Sequence, residues 1–163
     1  MNETVKLLFD ECIGSPIATA FGVFLQGLYT AKHEIKHIRE FQLLGTADEI
    51  WVPQVRDLGF MIVTADRSKD PKGIKMRLLC LKNQITQITL GPSVHHMKSP
   101  DKIVAITSVW NELVEAANAP AGSRFIISCV PGKAATLQAQ EISAEERDAA
   151  ARYLVPPLEL RPE

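Results

Sequence analysis

A chain of 163 residues with 46% hydrophobic and 23% charged residues is expected to fold as a single globular domain, at ~100–200 residues per domain, rather than stay disordered. Lys and Arg number 18 against 19 Asp and Glu, a net charge of −1. The overall field therefore favours neither nucleic acid nor membrane, and any affinity for nucleic acid has to come from a local patch. The three cysteines, Cys12, Cys80 and Cys129, lie far apart with no C-x-x-C spacing, so a zinc ribbon, a redox motif and a disulfide framework lack support and a reducing, cytoplasmic setting is expected.

The start, MNETVKLLFDE, sets acids beside its apolar run with only Lys6 as a base, so a signal peptide is not expected. No apolar stretch approaches the ~20 residues that span a bilayer, so no membrane partner is expected. Residues 5–9 (VKLLF) predict a buried strand. Ser15-Pro16 opens a helix, as N-cap and first helical position, with Ile17, Phe21, Phe24, Leu25 and Leu28 at helical spacing. Residues 33–38 predict a second strand. Residues 47–58 predict a helix with a Thr46/Glu49 capping box; Pro53 kinks it or divides it in two. FMIVT at 60–64 is a strand between Gly59 and Asp66. RSKDPKG reads as a loop, IKMRLLCLKN as a helix and ITQITL at 85–90 as a fourth strand. After the loop LGPSVHHMKSP, Ser99-Pro100 opens a helix carrying Ile103, Ile106, Trp110 and Leu113. RFIISCV at 124–130 is the last strand.

Beyond residue 133 the pattern weakens. Ser143 and Glu146 form a capping box before a short helix, and the acidic remainder reads as an appendage. The organisation expected is a domain over 1–133 and a C-terminal tail over 134–163. Strand and helix alternate, which implies an α/β fold with a mostly parallel sheet of about five strands covered on both faces.

Asp10 and Asp66 each directly follow a buried apolar strand, and Asp48 sits at a helix start. In a parallel sheet, ligands collect at the carboxyl ends of the strands. An isolated Asp is most often a cap or a turn residue. Here Ser15 and Thr46 are available as caps, and two strands ending in carboxylates point the same way. Converging carboxylates repel unless a cation intervenes, and Mg²⁺ or Mn²⁺ suits oxygen donors. Such an ion activates water and stabilises charge on a phosphodiester. Glu11 is a further ligand, a group behind the ligands, or a solvated acid. Directly after Asp66 come Arg67, Lys69, Lys72, Lys75, Arg77 and Lys82, against the single acid Asp70. This run is either a phosphate-holding rim, led by Arg67, Lys69, Lys72 and Lys75, or a solvated face. The four histidines lack metal spacing and read as structural or surface groups. Trp51 and Trp110 read as core. P-loop, GxGxxG and GxSxG motifs are missing.

LLFDEC, HIRE and DEIWVPQVRDLGFMIVTADRSKDP together resemble the PIN-like domains of toxin–antitoxin ribonucleases, and most closely the VapC45-like branch. The carrying positions are Asp10, then Asp48 with Trp51, Pro53 and Gly59, then Thr64, Asp66 and Arg67. The helix with Trp110 and the segment FIISCVPGK extend the likeness to about residue 133. The resemblance implies a three-layer PIN fold, Mg²⁺ or Mn²⁺ dependence, and endoribonuclease activity on RNA restrained by a protein antitoxin. It also implies a homodimer, and it carries Asp10, Asp48 and Asp66 over as catalytic metal-site residues. The fourth acid common in such nucleases has only Glu11 and Glu40 as substitutes. Two other readings stand beside it. One is a receiver-like phosphoacceptor domain, with Asp10-Glu11, Asp66 and Lys133. The other is a PIN-like module that binds RNA or protein without cutting.

Overall fold

Apolar runs become strands wherever both of their faces can be buried, and this chain has four such runs with parallel partners. The computed structural model describes residues 4–28, 33–65 and 69–154. Its strands are β1 (Lys6–Phe9), β2 (Glu34–His37), β3 (Met61–Ala65), β4 (Gln87–Leu90), β5 (Arg124–Ser128) and β6 (Thr136–Ala139). The helices are α1 (Ser15–Leu28), α2 (Asp48–Arg56), α3 (Pro71–Lys82), α4 (Pro92–His95), α5 (Ser99–Ser108), α6 (Trp110–Ala117) and α7 (Ala144–Arg152). A 3-10 turn at Ile38–Phe41 follows β2.

The sheet order is β2-β1-β3-β4-β5-β6. The first five strands are parallel and β6 is antiparallel to β5. Strand alternation sorts the core into two halves. Leu7, Phe9, Met61, Val63, Ile88 and Leu90 face α1, α4, α5 and α6. Leu8 and Ile62 face α2 and α3, where Trp51, Val52, Val55, Met76 and Leu79 complete the packing. The result is the three-layer α/β/α sandwich with a mostly parallel sheet that strand–helix alternation implied.

Several local expectations are corrected. The Thr46/Glu49 capping box does not form: Ala47 is the extended residue before α2, with no side-chain cap. The helix runs through Pro53 as one nine-residue element in which Pro53 lacks the N–H that would reach the carbonyl four residues back. Lys98, not Ser99, precedes α5. Phe24 is 44% exposed, because Ile17, Ala18, Phe21 and Leu25 already fill the inward stripe of α1. The Leu28 side chain lies outside what is described. Asp70-Pro71 starts α3 rather than lying mid-loop: Asp70 accepts the Lys72 N–H at 2.8 Å with Pro71 at the first helical position. The single helix expected after Ser99 breaks at Val109 into α5 and α6.

Residues 134–154 do not hang free. They supply β6, a sixth strand where about five were expected, and α7, which packs against α3. Ser143 caps α7 by accepting the Glu146 N–H at 3.1 Å. The Glu146 carboxylate accepts from Arg124 instead of closing the expected box. Among the described residues, no helix is long and apolar enough to cross a membrane.

Candidate active site

The strand order reverses between β1 and β3, since β2 lies on one side of β1 and β3 on the other. A crevice opens at the carboxyl ends of the strands at such a reversal. Asp10 is the first residue past β1, and its N–H donates to the Val63 carbonyl at 3.0 Å. Its backbone is thus fixed against β3. The side chain is held as firmly. Oδ1 accepts from the Glu11 N–H at 2.6 Å, and Oδ2 accepts from Cys12 Sγ and Thr64 Oγ1, both at 3.4 Å. Burial pushes the Asp10 carboxyl above the usual carboxylate range. The Glu11 N–H and Cys12 bonds oppose the rise, while the charges of Asp48 and Glu11 add to it. Burial, then the Asp10 charge, pushes the Cys12 thiol up to about 11.

Asp48 is the first residue of α2, where a negative charge faces the positive end of the helix dipole. Its Oδ1 accepts from Trp51 Nε1 at 3.1 Å, and Trp51 is 1% exposed in the core. This bond explains why the helix pairs Asp with Trp three positions on. Its Oδ2 lies 3.6 Å from Lys75 Nζ, which also sits 3.1 Å from Glu49 Oε2. Tyr153 donates its hydroxyl to Glu49 Oε1 at 3.4 Å. Burial pulls Glu49 upward, but its own backbone N–H, Lys75 and Tyr153 outweigh it and leave the carboxyl below its ordinary value. Lys75 is raised: burial lowers it, and Glu49 and Asp48 more than compensate.

Asp10, Glu11 and Asp48 line one cleft of about 680 Å³, with Thr64, Lys72 and Lys75 among its other walls. The structure therefore brings together two of the three singled-out aspartates. The third, Asp66, lies outside the described residues, as does Arg67. Glu11 is exposed at the rim of the cleft, and its Oε2 accepts from the Gly45 N–H at 3.3 Å in the loop before α2. Gly45 has φ +73, a conformation that glycine adopts at little cost. Glu40 caps the 3-10 turn through the His37 N–H at 2.8 Å and is not among the cleft's lining residues. Of the basic run, Lys72 lines the cleft and is exposed, Lys75 is engaged with two carboxylates, and Lys69 is exposed and outside the lining.

The donor set suits a hard cation as far as it is described. Asp10 and Asp48 offer oxygen only; burial is the main cause of the raised Asp10 pKa, and the smaller repulsion from Asp48 and Glu11 that adds to it is what a cation relieves. Among the described residues, no group of three or more His, Cys, Asp or Glu gathers to hold a metal. Two carboxylates of the expected three are the contribution of this part of the chain. The histidines have other duties. Nε2 of His37 bonds to the Ile13 carbonyl at 2.7 Å and its Nδ1 accepts from the Arg39 N–H, which makes it a buried cap. Trp51 and Trp110 are core residues.

Sequence reasoning missed Glu49 and Tyr153 as neighbours of Asp48. Glu49 was assigned to a cap, and Tyr153 is 104 residues away from it, with no local pattern to link the two. Cys12 and Thr64 were passed over as supports of Asp10, although both flank the strand ends that carry the acids.

No curated protein and no solved structure matches the chain. A family model described as "PIN like domain" matches residues 5–74. The match covers the segment carrying Asp10 and Asp48, less than half of the chain, and over that segment the chain is similar to PIN-like domains.

Proposed function

We propose that the chain is a divalent-metal-dependent endoribonuclease of the PIN-like type. In this reading it is the cytoplasmic toxin of a toxin–antitoxin pair of the VapC45-like branch, a homodimer held in check by a protein antitoxin. The observation that carries the reading is the meeting of Asp10 and Asp48 in one cleft at the sheet's reversal point, inside the PIN-like segment. PIN-like domains are commonly nucleases and generally use divalent ions.

Asp10, Asp48 and Asp66 would hold Mg²⁺ or Mn²⁺, which supplies water activation and charge neutralisation at a phosphodiester. The chain's own residues prepare that place. Thr64 and Cys12 orient the Asp10 carboxylate, and Trp51 orients that of Asp48. Glu11 keeps the Gly45 loop at the cleft wall. Lys72, exposed on the first turn of α3 and lining the cleft, would meet a backbone phosphate and so set the register of the RNA without reading its bases. Arg67 and Lys69 extend that rim in the proposal.

The test is cleavage of a defined RNA with and without Mg²⁺. Wild-type protein cuts only with the ion. Asp66→Asn and Asp10→Asn lose about a hundredfold or more of the rate, as expected when a group positioning transition-state charge is removed. Equal turnover by wild type and Asp66→Asn would reject the nuclease reading. RNA binding that persists in EDTA without cleavage would favour the non-cutting module. The receiver-like alternative is weakened because Lys133 is not among the residues lining the cleft. A base-labile phosphate formed from a small phosphodonor would restore it.

A further inference from the structure

The ammonium of Lys75 stands beside one of the two aspartates that share the cleft. Its Nζ is 3.1 Å from Glu49 Oε2 and 3.6 Å from Asp48 Oδ2. The three side chains are 29%, 14% and 23% exposed, in the order Lys75, Glu49, Asp48, so solvent and salt screen them incompletely. Glu49 is itself anchored. Its other oxygen accepts the Tyr153 hydroxyl at 3.4 Å, and the Tyr153 carbonyl accepts from Lys82 Nζ at 2.6 Å. A continuous line of contacts thus runs from the end of α7 through Glu49 and Lys75 to Asp48.

We propose that Lys75 is a built-in counter-ion that competes with a divalent cation for Asp48, and that Glu49, anchored by Tyr153, sets the strength of that competition. The inference rests on the reading of Asp48 as a metal-site residue. An ammonium and a dication cannot share one carboxylate without repelling each other, so an arriving ion displaces Lys75. Glu49 is the nearer of its two partners and gives the displaced ammonium a place to stay. Lys75 is accordingly a positioning residue, and the C-terminal segment reaches the metal site through it.

The experiment uses the full chain, freed of metal, with Mn²⁺ alone as the probe. Affinity is read by calorimetry and by metal-linked thermal shift. Lys75→Met binds Mn²⁺ about five- to tenfold more tightly than wild type, the scale of one partly screened charge. It melts lower without metal, because Asp48 and Glu49 lose their shared cation. Lys72→Met, which removes an exposed charge from the same cleft, changes affinity by less than about twofold. Glu49→Gln leaves the ammonium to Asp48 alone and weakens Mn²⁺ binding several-fold; Tyr153→Phe does the same to a smaller degree. Unchanged or weaker binding in Lys75→Met overturns the proposal, as does an equal gain in Lys72→Met. If Lys75→Met does not fold, Glu49→Gln decides, and an unaltered Mn²⁺ affinity there is equally fatal. A Mn²⁺ response lost in Asp10→Asn but indifferent to Lys75 overturns the competition alone. No response in any form of the protein removes the metal site and the competition together.

Discussion

Asp10 accepts three hydrogen bonds while sitting in a place that penalises its charge. A carboxylate so held is preorganised: its direction is set by the fold before any partner arrives. Cys12 beside it shares that burial, which is the main cause of its own raised pKa, and the Asp10 charge adds to the rise. The thiolate is the reactive form of cysteine, and a thiol pushed to about 11 is almost wholly protonated at neutral pH. Alkylation of Cys12 by iodoacetamide at pH 7.5, followed by mass spectrometry, is expected to run on the order of a hundredfold slower than for a free cysteine of pKa ~8.5. Labelling at the free-thiol rate would show that the Asp10 pocket is open. At this scale the sequence was legible in part. The positions of Asp10 and Asp48 followed from strand ends and a helix start, because parallel strands place their carboxyl ends on one edge. Lys75 was legible as a cation but not as a partner of Asp48, since the pairing depends on how α3 lies against α2. Glu11 was ambiguous in sequence, and its bond to Gly45 is a tertiary contact that no local pattern encodes.

Elements meet through a few polar ties as well as through packing, and His33 is one of them. The Val5 N–H, just before β1, donates to His33 Nδ1 at 3.1 Å, and the His33 ring stands edge-on to Trp110 at 4.7 Å. Burial lowers the His33 pKa below its ordinary 6.5, and an Nδ1 that accepts a bond cannot also carry a proton. A base with a depressed folded-state pKa stabilises the fold above the unfolded value, and that contribution is lost as pH falls. Melting temperature is therefore expected to drop between about pH 7 and pH 5, with a shallower drop in His33→Gln. Identical pH profiles for the two proteins would contradict the assignment. Five strands and most helices were readable from periodicity, because apolar runs and inward stripes report burial directly. β6 was not, because its residues are largely exposed and an edge strand needs no apolar face of its own. The α5–α6 break at Val109 was also hidden, since Ile106, Trp110 and Leu113 keep helical spacing across it. Asp70-Pro71 was misread although it carries the same signature as Ser15-Pro16: a capping side chain and Pro can end a loop by starting a helix.

The molecule has two cores, one on each face of the sheet, and its C-terminal region ties them to the far edge. Arg124 is 7% exposed at the start of β5, and its guanidinium donates to Glu146 of α7 at 2.9 Å. Removing the acid leaves a buried cation without its partner, which costs more than the pair itself contributes. Glu146→Ala is expected to lower the unfolding free energy by about 1–3 kcal/mol, less than for a fully buried pair because Glu146 is partly open to solvent. Urea denaturation measures this, and a change below about 0.5 kcal/mol, the ordinary range for surface substitutions, would mean that the Arg124–Glu146 pair does not hold α7 in place. The path of the chain has one more effect. A ribosome releases a protein from its amino end, so α2 and α3 emerge with Glu49 and Lys75 already available to one another. Tyr153 lies 104 residues beyond Glu49 and so emerges well after both. In a protein proposed to cut RNA, the nascent polypeptide thus passes through a stage in which the acids are assembled and their C-terminal restraint is still to come.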